Sequence, residues 1–138
     1  MCIRDSWRTV HDQLKFGQRT FRVTQLPRFL VLHVARFTRN NFFVEKNPTI
    51  VTFPIKHLQL RDCIPVPAGE GAGGSRYDLV ANVSHEGKPE AGKYKVHVAN
   101  RAAGTWHEMQ DLVVTETLPQ VVPLAESYLQ VFQREDAS

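Results

Sequence analysis

The sequence is short of cysteine, of net charge and of long apolar runs, and each shortage removes a class of protein. Its 138 residues hold two cysteines, Cys2 and Cys63. That excludes a disulfide scaffold and fits a reducing compartment. No Cys-x-x-Cys pair occurs, so no zinc ribbon or knuckle is expected, and no other metal site or cofactor either. No stretch approaches the roughly 18 apolar residues of a membrane span, and no apolar core segment near the N-terminus marks a secretory signal. The 17 basic and 14 acidic residues leave a net charge of +3, too weak to argue for nucleic acid. The glycines of residues 65–75 invite a phosphate-loop reading, but no Gly-Lys-Ser/Thr follows and no helix signal opens after them.

What is present reads as one domain, mainly antiparallel β. Residues 77–111 organise it: two strands joined by a short turn-rich loop, then a third entered through Gly104. In the first strand Tyr77, Leu79, Ala81 and Val83 alternate with Asp78 and Asn82. In the second, Tyr94, Val96 and Val98 are expected inside, with Lys93, Lys95 and His97 opposite. The loop between them carries Gly87, Pro89 and Gly92, which suit a tight reversal.

Around this centre, residues 7–14 suit a short helix and 19–24 a strand. Residues 28–37, RFLVLHVARF, are apolar almost throughout and predict an interior strand buried on both faces, with His33 a core histidine. Residues 38–55 read as a strand pair around the turn dipeptides Asn40-Asn41 and Asn47-Pro48. Residues 57–64 suit a strand edge or one helical turn, 65–75 a flexible loop, and 112–117 a β-rich edge. By pattern, 124–134 suits a helix or a strand equally. The expected buried set is Phe29, Leu30, Leu32, Val34, Leu79, Ala81, Tyr94, Val96 and Trp106.

The central stretch resembles the histidine box of the ubiquitin-specific proteases, papain-like cysteine peptidases that cut ubiquitin from lysine. Tyr77, Leu79, His85, Gly87, Gly92, Tyr94, Trp106 and Asp111 fall in step with it. So do Leu26-Pro27, Arg36-Phe37, Lys46 and Val51-Thr52-Phe53-Pro54 upstream. The resemblance covers residues 19–134, leaving 1–18 as an unplaced leader, in part non-native, and 135–138 as a tail. It implies a papain-like α+β fold, of which this chain is a C-terminal fragment dominated by antiparallel sheet, without the cysteine box and finger region. It also implies that the chain closes on a short turn and a final strand. The string from Arg36 through Asn40-Asn41-Phe42-Phe43-Val44-Glu45-Lys46 to Val51 is similar to one branch, the inactive spliceosomal homologues associated with the tri-snRNP. That likeness implies a nuclear splicing role, tri-snRNP proteins as partners, and Phe42 and Phe43 as candidate contacts. Weak ubiquitin binding stays open, and Glu86, Gly87 and Gly92 mark the loop that covers the ubiquitin tail in active relatives.

A cysteine peptidase needs a thiolate, a base and a group that orients the base. Where the family has its histidine this chain has Lys93, and where it has the orienting Asn/Asp, Gln110; Asp111 keeps the second acidic position. A solvated lysine titrates near about 10.4 and seldom accepts a proton at neutral pH. His97, four residues along the strand, lies about 13 Å from that place; His85 and His107 match non-catalytic positions. Neither cysteine aligns with the nucleophile; Cys63 suits a small apolar filler. The expectation is therefore a catalytically inactive interaction module. Two alternatives stand beside it: an active cysteine-type deubiquitinase with a non-standard base, and an RNA-binding module. The latter would need aromatics interleaved with cations, of which Arg36, Arg39, Phe42 and Phe43 are a faint version, so direct RNA contact is not expected.

Overall fold

The computed structural model describes residues 26–60 and 75–135. The expected helix over 7–14, the strand over 19–24 and nearly all of the 65–75 loop lie outside these. Among the described residues nine strands form: β1 (Phe29–His33), β2 (Phe37–Arg39), β3 (Val44–Lys46), β4 (Leu58–Gln59), β5 (Arg76–Glu86), β6 (Lys93–Asn100), β7 (Thr105–Gln110), β8 (Val113–Thr117) and β9 (Ser127–Arg134). A 3-10 turn spans Val122–Leu124. The main sheet is antiparallel, in the order β1-β9-β5-β6-β7-β8, with β4 also pairing β5. β2 and β3 form a separate hairpin.

β5 is the axis of the sheet, flanked by β9 on one side and by β4 and then β6 on the other. Its alternation holds only as far as Leu79. A register shift between Leu79 and Ala81 inserts one residue, and one extra residue turns every later side chain to the opposite face. Tyr77 and Leu79 are therefore buried together with Asn82 and Ser84 rather than with Ala81 and Val83, which are only half-buried. The apolar core gathers Leu60, Tyr77, Leu79, Trp106, Val122 and Phe132, with Leu30, Leu32 and Phe53 packed against it. Each large side chain fully buried there contributes about 2 kcal/mol or more. The Tyr77 hydroxyl, inside this core, donates to Pro27 O at 2.6 Å.

Two further expectations need correction. Residues 28–37 are not one interior strand. The run breaks at 34–36, and β1 is an edge of the sheet among the described residues, paired only with β9. Leu30 and Leu32 face the core, while Phe29 and Val31 are exposed and His33 lies at the surface beside Tyr128, ring centroids 4.9 Å apart. An apolar run reports that both faces avoid water, not which segment covers them. The faces of β6 are also reversed: Tyr94 is 52 % exposed, whereas His97 is 0 % exposed. β6 follows β5 across the shift, so His97 lies opposite buried Asn82.

Candidate functional site

Lys93 opens β6 and lies opposite Glu86 on β5. Lys93 and Glu86 are both exposed. The Val96–Met109 pairing of β6 with β7, continued by one pair, brings Lys95 opposite Gln110. Lys93 then lies two residues, roughly 7 Å, further along the same face. Lys93 and Gln110, the positions the sequence resemblance gives for base and orienting group, thus sit diagonally across neighbouring strands. Gln110 is half-buried and pairs through its backbone with Val113. Asp111 stands apart from both. It begins the two-residue turn into β8, exposed, with φ 54°, a left-handed conformation that aspartate tolerates better than most residues.

Lys95, between these positions, is the cation the structure ties down. Its Nζ lies 3.3 Å from a carboxylate oxygen of Glu86 and 3.3 Å from one of Glu108. Burial pulls its pKa down, but the hydrogen bonds and charges of the two glutamates outweigh that and hold it above the ordinary lysine value. Next along the face, His97 Nε2 lies 3.0 Å from Glu108 Oε2. Burial pushes the His97 pKa below the usual histidine value, against the opposing pull of Glu108, and Lys95 adds to the depression. The imidazole is therefore neutral near pH 7. It donates Nε2–H to the carboxylate, a hydrogen bond rather than an ion pair.

The loop after β5 is fixed from beneath. Lys46, on β3, has a nearly buried side chain that donates to His85 O at 2.8 Å and Gly87 O at 3.0 Å. It also pairs with Glu126 at 2.5 Å. Arg36, buried in the break between β1 and β2, donates to Ser127 O and to the carbonyls of Asn47 and Thr49. Two cations thus bind the β2–β3 hairpin to β9 and to the 86–92 loop. His85, buried, packs edge-on against Phe37 and Tyr94. A Cβ on Gly92 would fall 2.2 Å from His85 Nε2 and 2.6 Å from Glu86 O, so only glycine fits there. Burial lowers the His85 pKa; Lys46 and Arg36 lower it further against Glu126.

An open cavity of about 700 Å³ lies between hairpin and loop, lined by Thr38, Lys46, Pro48, Gly87, Pro89 and Glu126. Phe42 and Phe43 occupy the hairpin tip, 91 % and 50 % exposed. Asn40 Oδ1 accepts from both of their backbone N–H groups, so the tip is ordered by an Asx turn. The sequence reading missed Glu126 and the Lys95–Glu108–His97 chain. Glu126 meets Lys46 from 80 positions away in sequence, and no local pattern signals that.

Among the described residues one cluster has the donor set of a metal site: His57, Asp78 and Glu135, with ligand atoms within 4.8 Å of one another. Its carboxylates already face Arg76 and Arg101, at 3.3 and 3.5 Å. No helix of the described residues is long and apolar enough to cross a membrane.

The profile of the ubiquitin carboxyl-terminal hydrolase family matches residues 4–132. The chain belongs to that family. It is 47% identical over 116 residues to ubiquitin carboxyl-terminal hydrolase 39 of Homo sapiens, an alignment covering 84% of this chain and 20% of the relative. It is 31% identical over 139 residues to a probable mRNA-splicing protein, ubp10, of Schizosaccharomyces pombe, covering 96% of this chain and 28% of the other. The chain therefore spans between a fifth and a third of these relatives. Among solved structures, an essential yeast splicing factor superposes with a TM-score of 0.63 at 24% identity, over 82% of this chain and 26% of that one. The Ubp8 deubiquitinating module of SAGA gives 0.75 at 20% identity, over 99% and 31%. These two likenesses concern the fold: the antiparallel sheet is that of the C-terminal part of a family domain.

Proposed function

We propose that this chain is the C-terminal part of a catalytically inactive, papain-like α+β domain that serves as an interaction module in pre-mRNA splicing. The observation that carries the inactivity is the pair Lys93 and Gln110 at the places of base and orienting group. Lys93 is exposed, the opposite of the buried setting in which a lysine works as a base. The two neighbouring imidazoles are committed elsewhere, His97 to Glu108 and His85 to the packing of the loop. Lys95 adds a cation where a cysteine peptidase needs a neutral acceptor.

The splicing role rests on the relatives, one of which carries splicing in its name, and the whole protein's place is inferred with them: nuclear, bound to tri-snRNP proteins. Phe42 and Phe43 supply the contact surface. The 86–92 loop, with Glu86, Gly87 and Gly92, corresponds to the one that covers the ubiquitin tail in active relatives, without the chemistry beside it to cut that tail.

The test is turnover of a ubiquitin–fluorophore amide by the full-length protein, wild type against Lys93→Ala. Proton transfer by a positioned base contributes roughly 10²- to 10⁴-fold, and triad members act as a unit. Neither protein should cleave at a rate above background. Robust cleavage lost in Lys93→Ala would establish a lysine base, and cleavage surviving in it would establish a different one. Either result overturns the inactive reading.

A further inference from the structure

We propose that the outer edge of β8 is a self-association surface, at which two copies of this chain pair antiparallel about Thr115. This goes beyond the reading above and does not depend on it. β8 ends the sheet: β7 pairs one side, and among the described residues nothing pairs the other. Edges of this kind are blunted by lysine, proline, a bulge or a cover. Residues 112–118, LVVTETL, contain no lysine or proline, and the β7–β8 register runs without a shift. Leu112 is 100 % exposed, and Val113, Val114 and Leu118 are exposed as well.

A second copy is the occupant that the sequence itself fits. A two-fold axis at Thr115 sets Val113 against Thr117, Val114 against Glu116, Thr115 against its own mate, and brings Leu112 beside Leu118. No like charges meet, whereas an axis at Glu116 would set two carboxylates face to face. The backbone phase agrees. Asp111 and Leu112 form a two-residue turn between paired Gln110 and Val113, and in such a hairpin the flanking pair exchanges both hydrogen bonds. Val113, Thr115 and Thr117 therefore bond to β7, and Val114 and Glu116 turn their N–H and C=O groups outward. The axis at Thr115 matches outward residue with outward residue on both sides, for about four new hydrogen bonds. One short strand makes a small interface, so the association is weak.

Sedimentation equilibrium of the 138-residue chain at high micromolar concentration tests this, with circular dichroism confirming that each variant folds. The wild type should show a monomer–dimer equilibrium. Val114→Glu places a carboxylate opposite Glu116 in each half of the pair and should weaken association about tenfold or more. Val114→Lys places opposite charges there and should preserve it. An edge that is merely apolar would lose association in both variants, and that result overturns the proposal. In a Cys2→Ser/Cys63→Ser background, Thr115→Cys should cross-link on mild oxidation. Val113→Cys should not, because its symmetry mate lies roughly 13 Å along the strand. A monomeric wild type, or equal cross-linking by the two cysteine variants, would also refute it.

Discussion

His85 and His97 are buried within neighbouring strands, and burial lowers the pKa of both. An unfolded chain lets each titrate near about 6.5. Between that value and the lower folded-state values, the unfolded chain binds more protons than the folded one. The stability these histidines contribute is thus fully present above about pH 6.5 and is lost as the pH falls through that value toward the folded-state values. Thermal melts across this range should show Tm falling on acidification. His97→Gln, which keeps a donor for Glu108, should flatten the fall, and an unchanged slope would mean that His97 is not its source. These residues also mark how far single positions can be read from sequence. Periodicity found that β6 is a strand but placed His97 outside and Tyr94 inside. That placement follows from side-chain polarity along β6 alone, and the extra residue near Val80 that resets the faces leaves no mark in composition.

At the scale of elements, hydrophobic pattern and turn chemistry identified β5, β6, β7, the hairpin dipeptide Asn40-Asn41 and the edge character of 112–117. The final strand over 124–134 was not decidable from pattern; the family likeness implied it, and β9 is there. What remained hidden is what joins elements far apart in the chain. Arg36 and Lys46 are cations, which sequence reasoning assigns to the surface, yet both are buried and satisfied by carbonyls. Lys46 matters most, because its three contacts hold the β2–β3 hairpin, the 86–92 loop and Glu126 together. Lys46→Met should destabilise the chain by about 2–3 kcal/mol, since it leaves Glu126 and two carbonyls without their donor. Native-state hydrogen exchange should quicken in residues 85–92 beyond the global change. Lys46→Met/Glu126→Leu should recover part of the loss in urea unfolding, as it removes the stranded carboxylate. A double variant no better than the single one would place the cost in the loop carbonyls instead.

For the whole molecule, the question is which surface the fold exists to present. Lys93 and Gln110 lie diagonally on β6 and β7, while the hairpin tip, 50 or more positions away in sequence, is ordered and solvent-facing. Phe42 and Phe43 expose large apolar surface from a tip that Asn40 holds in shape, and aromatic side chains on rigid supports are common anchors of protein interfaces. Because the rings contribute little to the core, Phe42→Ser/Phe43→Ser should shift unfolding stability only slightly, within about 0.5 kcal/mol per site. The same variant of the full-length protein should lose most of its co-purification with tri-snRNP proteins from nuclear extract, measured against wild type at equal expression. Lys93→Ala, at the start of β6, should leave that association intact. If the serine variant folds and still associates fully, the tip is not the contact. Loss with Lys93→Ala instead would move the interface to the surface around Lys93.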